Sequence, residues 1–251
     1  MTLPKLNTRT ILILAISILA GLALTPQADF GIFWNAGLAA RLGQNPYSIP
    51  GFFSPLHVLI YFIPLSFLPE PIVYHLNATL TIFILLISLG KRWALALLSP
   101  SLWAVAWFGN VDWLPVLALI VPATWIAPLA LAKPQIGWLE ALLSRRVLPL
   151  LFMAGIFIVS FALGMNWSTV QGSSWNISLW PWGIPIGLFL ARVAILKRQP
   201  DLALAATPFL SPYLSPLSYI AWLPMATRSI WLMAIVLSIQ WAITLVWLCR
   251  P

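Results

Sequence analysis

The apolar positions of this chain come in long runs, cut by single prolines and by short polar clusters. Residues 9–25 form the first run, behind Lys5 and Arg9, and read as a membrane span with its N-terminus in the cytoplasm. A signal peptide cleaved after Ala28 would have the same outline, but Pro26 at the −3 position disfavours cleavage. Over residues 29–42, apolar side chains recur at Phe30, Phe33, Trp34, Gly37 and Leu38, the spacing of an amphipathic helix. Asp29 is placed to cap that helix; Gly43 and the turn Asn45-Pro46-Tyr47 end it. A helix of this kind lies in the plane of a membrane interface.

Residues 55–68 are apolar but fall short of the roughly 17–25 residues a crossing needs. They read as a second interfacial or re-entrant helix. If they crossed, Lys91-Arg92 would fall outside, against the preference of basic loops for the cytoplasmic side. Residues 71–90 span, and 93–108 return outward. The pieces 113–121 and 124–132, separated by Pro122, predict either one bent span or a shallow hairpin. Residues 136–144 descend to Arg145-Arg146, 147–165 cross outward, and 181–196 cross inward to Lys197-Arg198. The run 202–226 is interrupted at Ser211–Pro216, which predicts two half-helices meeting at a polar kink; 229–249 is a last span. The expectation is an all-α polytopic protein of the cytoplasmic (inner) membrane with about 8–10 membrane segments. It forms one integral membrane domain over 1–251. Residues 26–70 make an outer loop carrying interfacial helices, and 166–180 a polar outer loop.

Composition narrows the class. Hydrophobic residues make up 61% of the 251, and charged residues 7%. A soluble domain carries about 25% charged residues, so the chain cannot coat a water-facing surface, and disorder is excluded by the same numbers. The 22 prolines imply broken helices, and broken backbone at membrane depth is tolerated only where protein buries it or a wet cavity adjoins it. The net charge of +8 is spread over loops, which reads as topology signal and lipid-headgroup contact rather than nucleic-acid binding. Cys249 is the single cysteine, so no internal disulfide forms and no zinc spacing exists.

Five acids are available: Asp29, Glu70, Asp112, Glu140 and Asp201. Asp29, Glu70 and Asp112 fall on the outer side; Glu140 and Asp201 adjoin inner basic pairs, where salt bridges or solvation account for them. Beyond its capping role, Asp29 suits a general base at the lip of a lipid-facing cavity, because partial burial raises a carboxyl's pKa toward that of a base. Lys133, set at a proline between apolar pieces, either snorkels to the interface or meets a phosphate; Arg41 on the outer helix is a second phosphate candidate. With two histidines, His57 and His75, and few acids, no metal site is expected.

The stretch Asp29-Phe-Gly-Ile-Phe-Trp-Asn-Ala-Gly-Leu-Ala-Ala-Arg-Leu-Gly-Gln-Asn-Pro-Tyr47 resembles the first outer loop of the C-type-fold membrane glycosyltransferases. The closest branch is that of the bacterial polyprenyl-phosphate-mannose-dependent alpha-mannosyltransferases. The shared pattern is an Asp, an aromatic pair (Phe33-Trp34), small residues (Ala36, Ala39-Ala40), then Gly43 and Pro46-Tyr47. A proline-led helix follows at Phe53-Ser-Pro55-Leu-His57; Gly109-Asn110 stands where the family often has Gly-Gln, Lys133-Pro134 where it has a Lys before Pro, and Ser211-Pro-Tyr213 at its late kink. Members of the family are longer, so this chain resembles a minimal or degenerate one.

The resemblance implies a transfer of a hexose, mannose in the named branch, from a polyprenyl-phosphate donor to an acceptor hydroxyl at the outer face, with inversion. Asp29 would be the base. Lys133, Arg41, His57, Asp112, Tyr47 and Tyr213 are the candidates for binding substrate and phosphate. No cofactor or metal is implied; the lipid-linked sugar is a co-substrate, and the partners are membrane lipid and that donor. The rival reading is a non-enzymatic accessory or structural subunit with membrane-protein partners, which would need a broad apolar face rather than a cavity. A transporter would want two related halves with matching broken helices, and no matching halves are visible.

Overall fold

The computed structural model describes residues 7–166 and 176–249, and among them every regular element is a helix. In chain order these are α1 (Thr8–Ala23), α2 (Ala28–Arg41), α3 (Leu59–Leu65), α4 (Glu70–Ser88), α5 (Trp93–Ala96), α6 (Pro100–Phe108) and α7 (Trp113–Ala118). Then come α8 (Ala123–Ala130), α9 (Pro134–Leu143), α10 (Val147–Ala162), α11 (Ile184–Lys197), α12 (Pro200–Leu210), α13 (Leu223–Ala226) and α14 (Ile230–Leu248). The expected all-α class is observed. Most of the polar loop expected at 166–180 lies outside the described residues.

Two helices, α4 and α14, are long and apolar enough to cross a membrane. Each has 19 residues, about 28 Å at 1.5 Å per residue. The helices α1 and α10 are apolar and reach 16 residues. The expected continuous crossing over 93–108 is not observed. The chain breaks there into α5 and α6, because Pro100 has no N–H to continue a helix and Ser99 Oγ accepts from Leu102 N to begin a new one. The helix expected across 55–68 is a 3-10 turn at Leu56–Val58 followed by the seven residues of α3, too short to span. The interruption expected at Ser211–Pro216 is present, with a 3-10 helix over Pro216–Trp222 on its far side.

The helix α4 is the axis of the core. Its Val73, Tyr74, Asn77, Ala78, Thr81, Ile82, Leu85 and Leu86 are buried, with α1 on one flank and α6 and α7 on another. The α1–α4 seam is close because Gly21 has no side chain: a Cβ there would stand 2.8 Å from Thr79 N. His75 Nδ1 meets the Gly21 carbonyl at 3.0 Å across the same seam.

Basic residues gather at the C-terminal end of α4. Arg9 donates to the Ile87 carbonyl and Arg92 to the Thr227 carbonyl. Arg228 holds both carboxylate oxygens of Asp201 at 2.6 Å and Gln199 Oε1 at 2.8 Å. Lys91, Lys197 and Arg198 adjoin these contacts in sequence. Glu140 corrects an expectation: it is buried, and among the described residues no salt bridge reaches it and neither carboxylate oxygen has a hydrogen-bond partner. At the other end of α4, Glu70 stands beside Gly31 of α2, in the turn that carries Asp29.

Candidate functional site

The placement of Asp29 begins with the aromatic face of α2. Phe30 and Phe33 are buried against Phe62 and Tyr74, with Phe33 stacked on Phe62 at 5.2 Å between ring centroids. One turn on, Gly37 lies against the backbone of Phe62, where a Cβ would be 2.8 Å from its carbonyl carbon. These contacts fix α2 on α3 and turn Asp29 toward a cavity. Asp29 is not the N-cap expected. The capping position falls two residues earlier, at Gln27, which makes no side-chain capping bond, so Asp29 sits inside the first turn. Its charge there still suits the helix dipole, and its oxygens are left for other partners.

One of those partners comes from the end of α6. Gly109 closes that helix in the left-handed region, φ 65°, and Phe30 packs so tightly on it that a Cβ would be 2.7 Å from Phe30 Cβ. The turn releases Asn110, whose Oδ1 accepts from Val111 N at 2.7 Å while its Nδ2 donates to Asp29 Oδ2 at 3.4 Å.

Two residues later Asp112 is fully buried. Its Oδ1 accepts from Ser218 Oγ at 2.7 Å, and its Oδ2 lies 3.3 Å from Lys133 Nζ. That second contact is an ion pair off the hydrogen-bonding direction. It also decides the path of residues 113–132. Asp112 precedes α7 and Lys133 follows α8, so the two ends of the segment meet and the chain makes a hairpin, not a bent span. Helices of six and eight residues reach only about 9–12 Å deep, so the hairpin is shallow beside a hydrocarbon core of about 30 Å. The next turn is equally tight: Gly137 of α9 sits where a Cβ would be 2.0 Å from the Ala130 carbonyl oxygen.

The cavity so formed has a volume of about 640 Å³, within the 300–1,000 Å³ range of small-molecule sites. Its polar wall includes Asp29, Asn110, Lys133, Gln135 and Tyr213, and Trp138 supplies an aromatic face. Pro55, Pro134 and Pro212 also line it, so the helix breaks implied by the proline content do adjoin open space. Burial raises the Asp29 carboxyl above the usual carboxylate range, Lys133 and the Asn110 hydrogen bond pull it back, and Asp112 adds to the rise. Tyr213 is pushed up to about 12, first by burial and then by Asp112 and Asp29, so its hydroxyl is a proton-bearing donor at neutral pH. Among the described residues no three His, Cys, Asp or Glu side chains converge as for a metal ion.

The structure thus brings Asp29, Asp112, Lys133 and Tyr213 together, and leaves three other candidates outside. Arg41 donates to the Ser66 carbonyl and lies 4.5 Å from the centroid of the Phe67 ring. His57 Nε2 meets the Pro128 carbonyl at 2.8 Å, and burial lowers it to about 4, leaving a neutral ring with no charge for a phosphate. Tyr47 donates to the Ser54 carbonyl and packs on Phe52. Sequence reasoning missed Ser218, Gln135 and Trp138. Ser218 carries no sequence signal, whereas Gln135 and Trp138 are three apart directly after Lys133-Pro134, hence on one helix face. Comparison with protein-family models, curated proteins and solved structures gives no match.

Proposed function

We propose that this chain is a polytopic protein of the cytoplasmic (inner) membrane and an inverting glycosyltransferase. It takes a hexose, mannose by the resemblance of its first loop, from a polyprenyl-phosphate donor to an acceptor hydroxyl at the outer face. Large apolar side chains stay exposed along α10 and α14, with Leu148 and Trp231 each 78% accessible. Contiguous apolar surface of that kind is at home in hydrocarbon and aggregates in water. The basic end of α4 supports a cytoplasmic N-terminus; the cavity, at the opposite end, then faces outward.

The observation that carries the reading is a carboxylate and an ammonium group on the wall of one cavity, Asp29 and Lys133. Asp29 takes the proton of the acceptor hydroxyl. The acceptor oxygen bonds to the anomeric carbon from the face opposite the phosphate. The bond from that carbon to the phosphate oxygen breaks, and its electron pair leaves on the polyprenyl phosphate. Lys133 neutralises the charge that develops there, which preorganised electrostatics supply without a metal. A non-catalytic subunit has no use for this cavity, so the transferase reading is the better supported.

The test is sugar transfer in membrane vesicles that supply labelled polyprenyl-phosphate mannose and endogenous acceptors. Loss of a positioned base removes about 10²–10⁴ in rate, so Asp29→Asn should abolish transfer while the protein inserts normally. Transfer by Asp29→Asn at the wild-type rate would retire the mechanism.

A further inference from the structure

The turn after α6 does more than end a helix. Gly109 is locked on Phe30, the residue next to Asp29, by a contact that leaves no room for a Cβ. Asn110 is 7% exposed, and its amide is oriented by its own backbone: Oδ1 is taken by Val111 N, which directs Nδ2 at Asp29. Asp29 is therefore approached by one neutral donor whose direction is set from the other side.

We infer that Asn110 is a positioning residue for Asp29: from the rigid Gly109 turn it holds the carboxylate aimed into the cavity, ready to accept a proton. This rests on the transferase reading for its consequence in catalysis, though not for its geometry. The physical basis is that a hydrogen bond donated to a carboxylate favours the charged form, and it opposes the burial that favours the neutral one. The other groups facing Asp29 stay constant when Asn110 changes. They are Lys133 after α8, Asp112 before α7 and Tyr213 in the loop after α12; Glu70 of α4 stands beside Gly31 and is likewise untouched by the change. On α2 itself, Arg41 is turned away to Ser66 and Phe67.

Two readouts test it, on the full chain in detergent. The first is the infrared carboxyl band of Asp29, isolated as wild type minus Asp29→Asn and followed with pH; it needs no substrate. Asn110→Ala should move the midpoint up by about half a pH unit or more, and Asn110→Asp further, since a second carboxylate then faces the first. Asn110→Asp keeps the acceptor for Val111 N and nearly the same shape, so it guards against a misfolded alanine variant. The second is the pH–rate profile of transfer from polyprenyl-phosphate mannose. Its acid limb should move the same way, with donor KM unchanged and kcat recovering at higher pH to within about threefold of wild type.

An unmoved infrared midpoint in both variants overturns the inference, as does a rate lost equally at every pH. A midpoint that moves as expected in a protein that transfers no sugar upholds the Asn110 contact and removes the transferase reading.

Discussion

Substituting Gly137 by alanine tests how Lys133 is held. A methyl group at 137 would lie 2.0 Å from the Ala130 carbonyl oxygen, where ordinary contact begins near 3.4 Å, so α9 must withdraw from α8 by about 1.4 Å. The turn between those helices carries Lys133, whose Nζ is 3.3 Å from Asp112 Oδ2. A displacement of that size takes the ion pair past about 4 Å, beyond salt-bridge reach. Two energetic effects oppose one another. Overpacking costs about 1–3 kcal/mol, while replacing a helical glycine by alanine returns about 1 kcal/mol. The net loss of stability should stay within about 2 kcal/mol, and the protein should fold. Function is more sensitive, because a 1 Å misplacement of a reacting or binding group can cost about a hundredfold. The measurements are a thermal melt and the binding of undecaprenyl phosphate to the purified protein in detergent. The melt should drop by a few degrees and binding should weaken by an order of magnitude or more. Wild-type binding by Gly137→Ala would refute the argument that the α8–α9 contact positions the cation.

Two further outcomes follow from the same reasoning. Glu140 is buried with both oxygens unpartnered, and an apolar residue of similar volume avoids burying that group, so Glu140→Leu should melt higher than wild type by up to a few degrees; a lower melting temperature would reveal a partner the geometry does not show. The Arg228–Asp201 pair is bidentate but partly exposed, at 37% and 21%, so Arg228→Ala should lose less than about 1 kcal/mol, and a loss of several would contradict the weakness of screened pairs.

Much of the architecture was legible because its cause is local. Runs of apolar residues marked α1, α4, α10, α11 and α14 within a few positions, since an uninterrupted apolar run is itself what a buried helix is made of; only α4 and α14 of these are long enough to cross a membrane. Pro122 and the Ser211–Pro216 cluster were readable as breaks because a proline removes a donor wherever it stands. The misreadings were also local in form and tertiary in cause. Asp29 is a good capping residue by type, yet the aromatic contacts of Phe30 and Phe33 with α3 and α4 settle where α2 lies, and the cap falls two residues earlier, at Gln27. Arg41 and His57 were chemically suited to phosphate, but a carbonyl from Ser66 and one from Pro128 claim them.

By itself the sequence determined the class: helical, apolar enough for hydrocarbon, broken by proline, with its few acids countable and Asp29 singled out by its surroundings in the chain. Which of those acids meets which cation was decided only by the tertiary structure. Lys133 has no acid near it in sequence; it meets Asp112 because a shallow hairpin returns the chain across 21 positions, and Ser218 joins them from 106 positions away. Charge pairing and cavity shape depend on distances of a few ångströms between segments far apart in the chain, and those distances are set by how helices pack, at glycines such as 37 and 137 where two backbones touch.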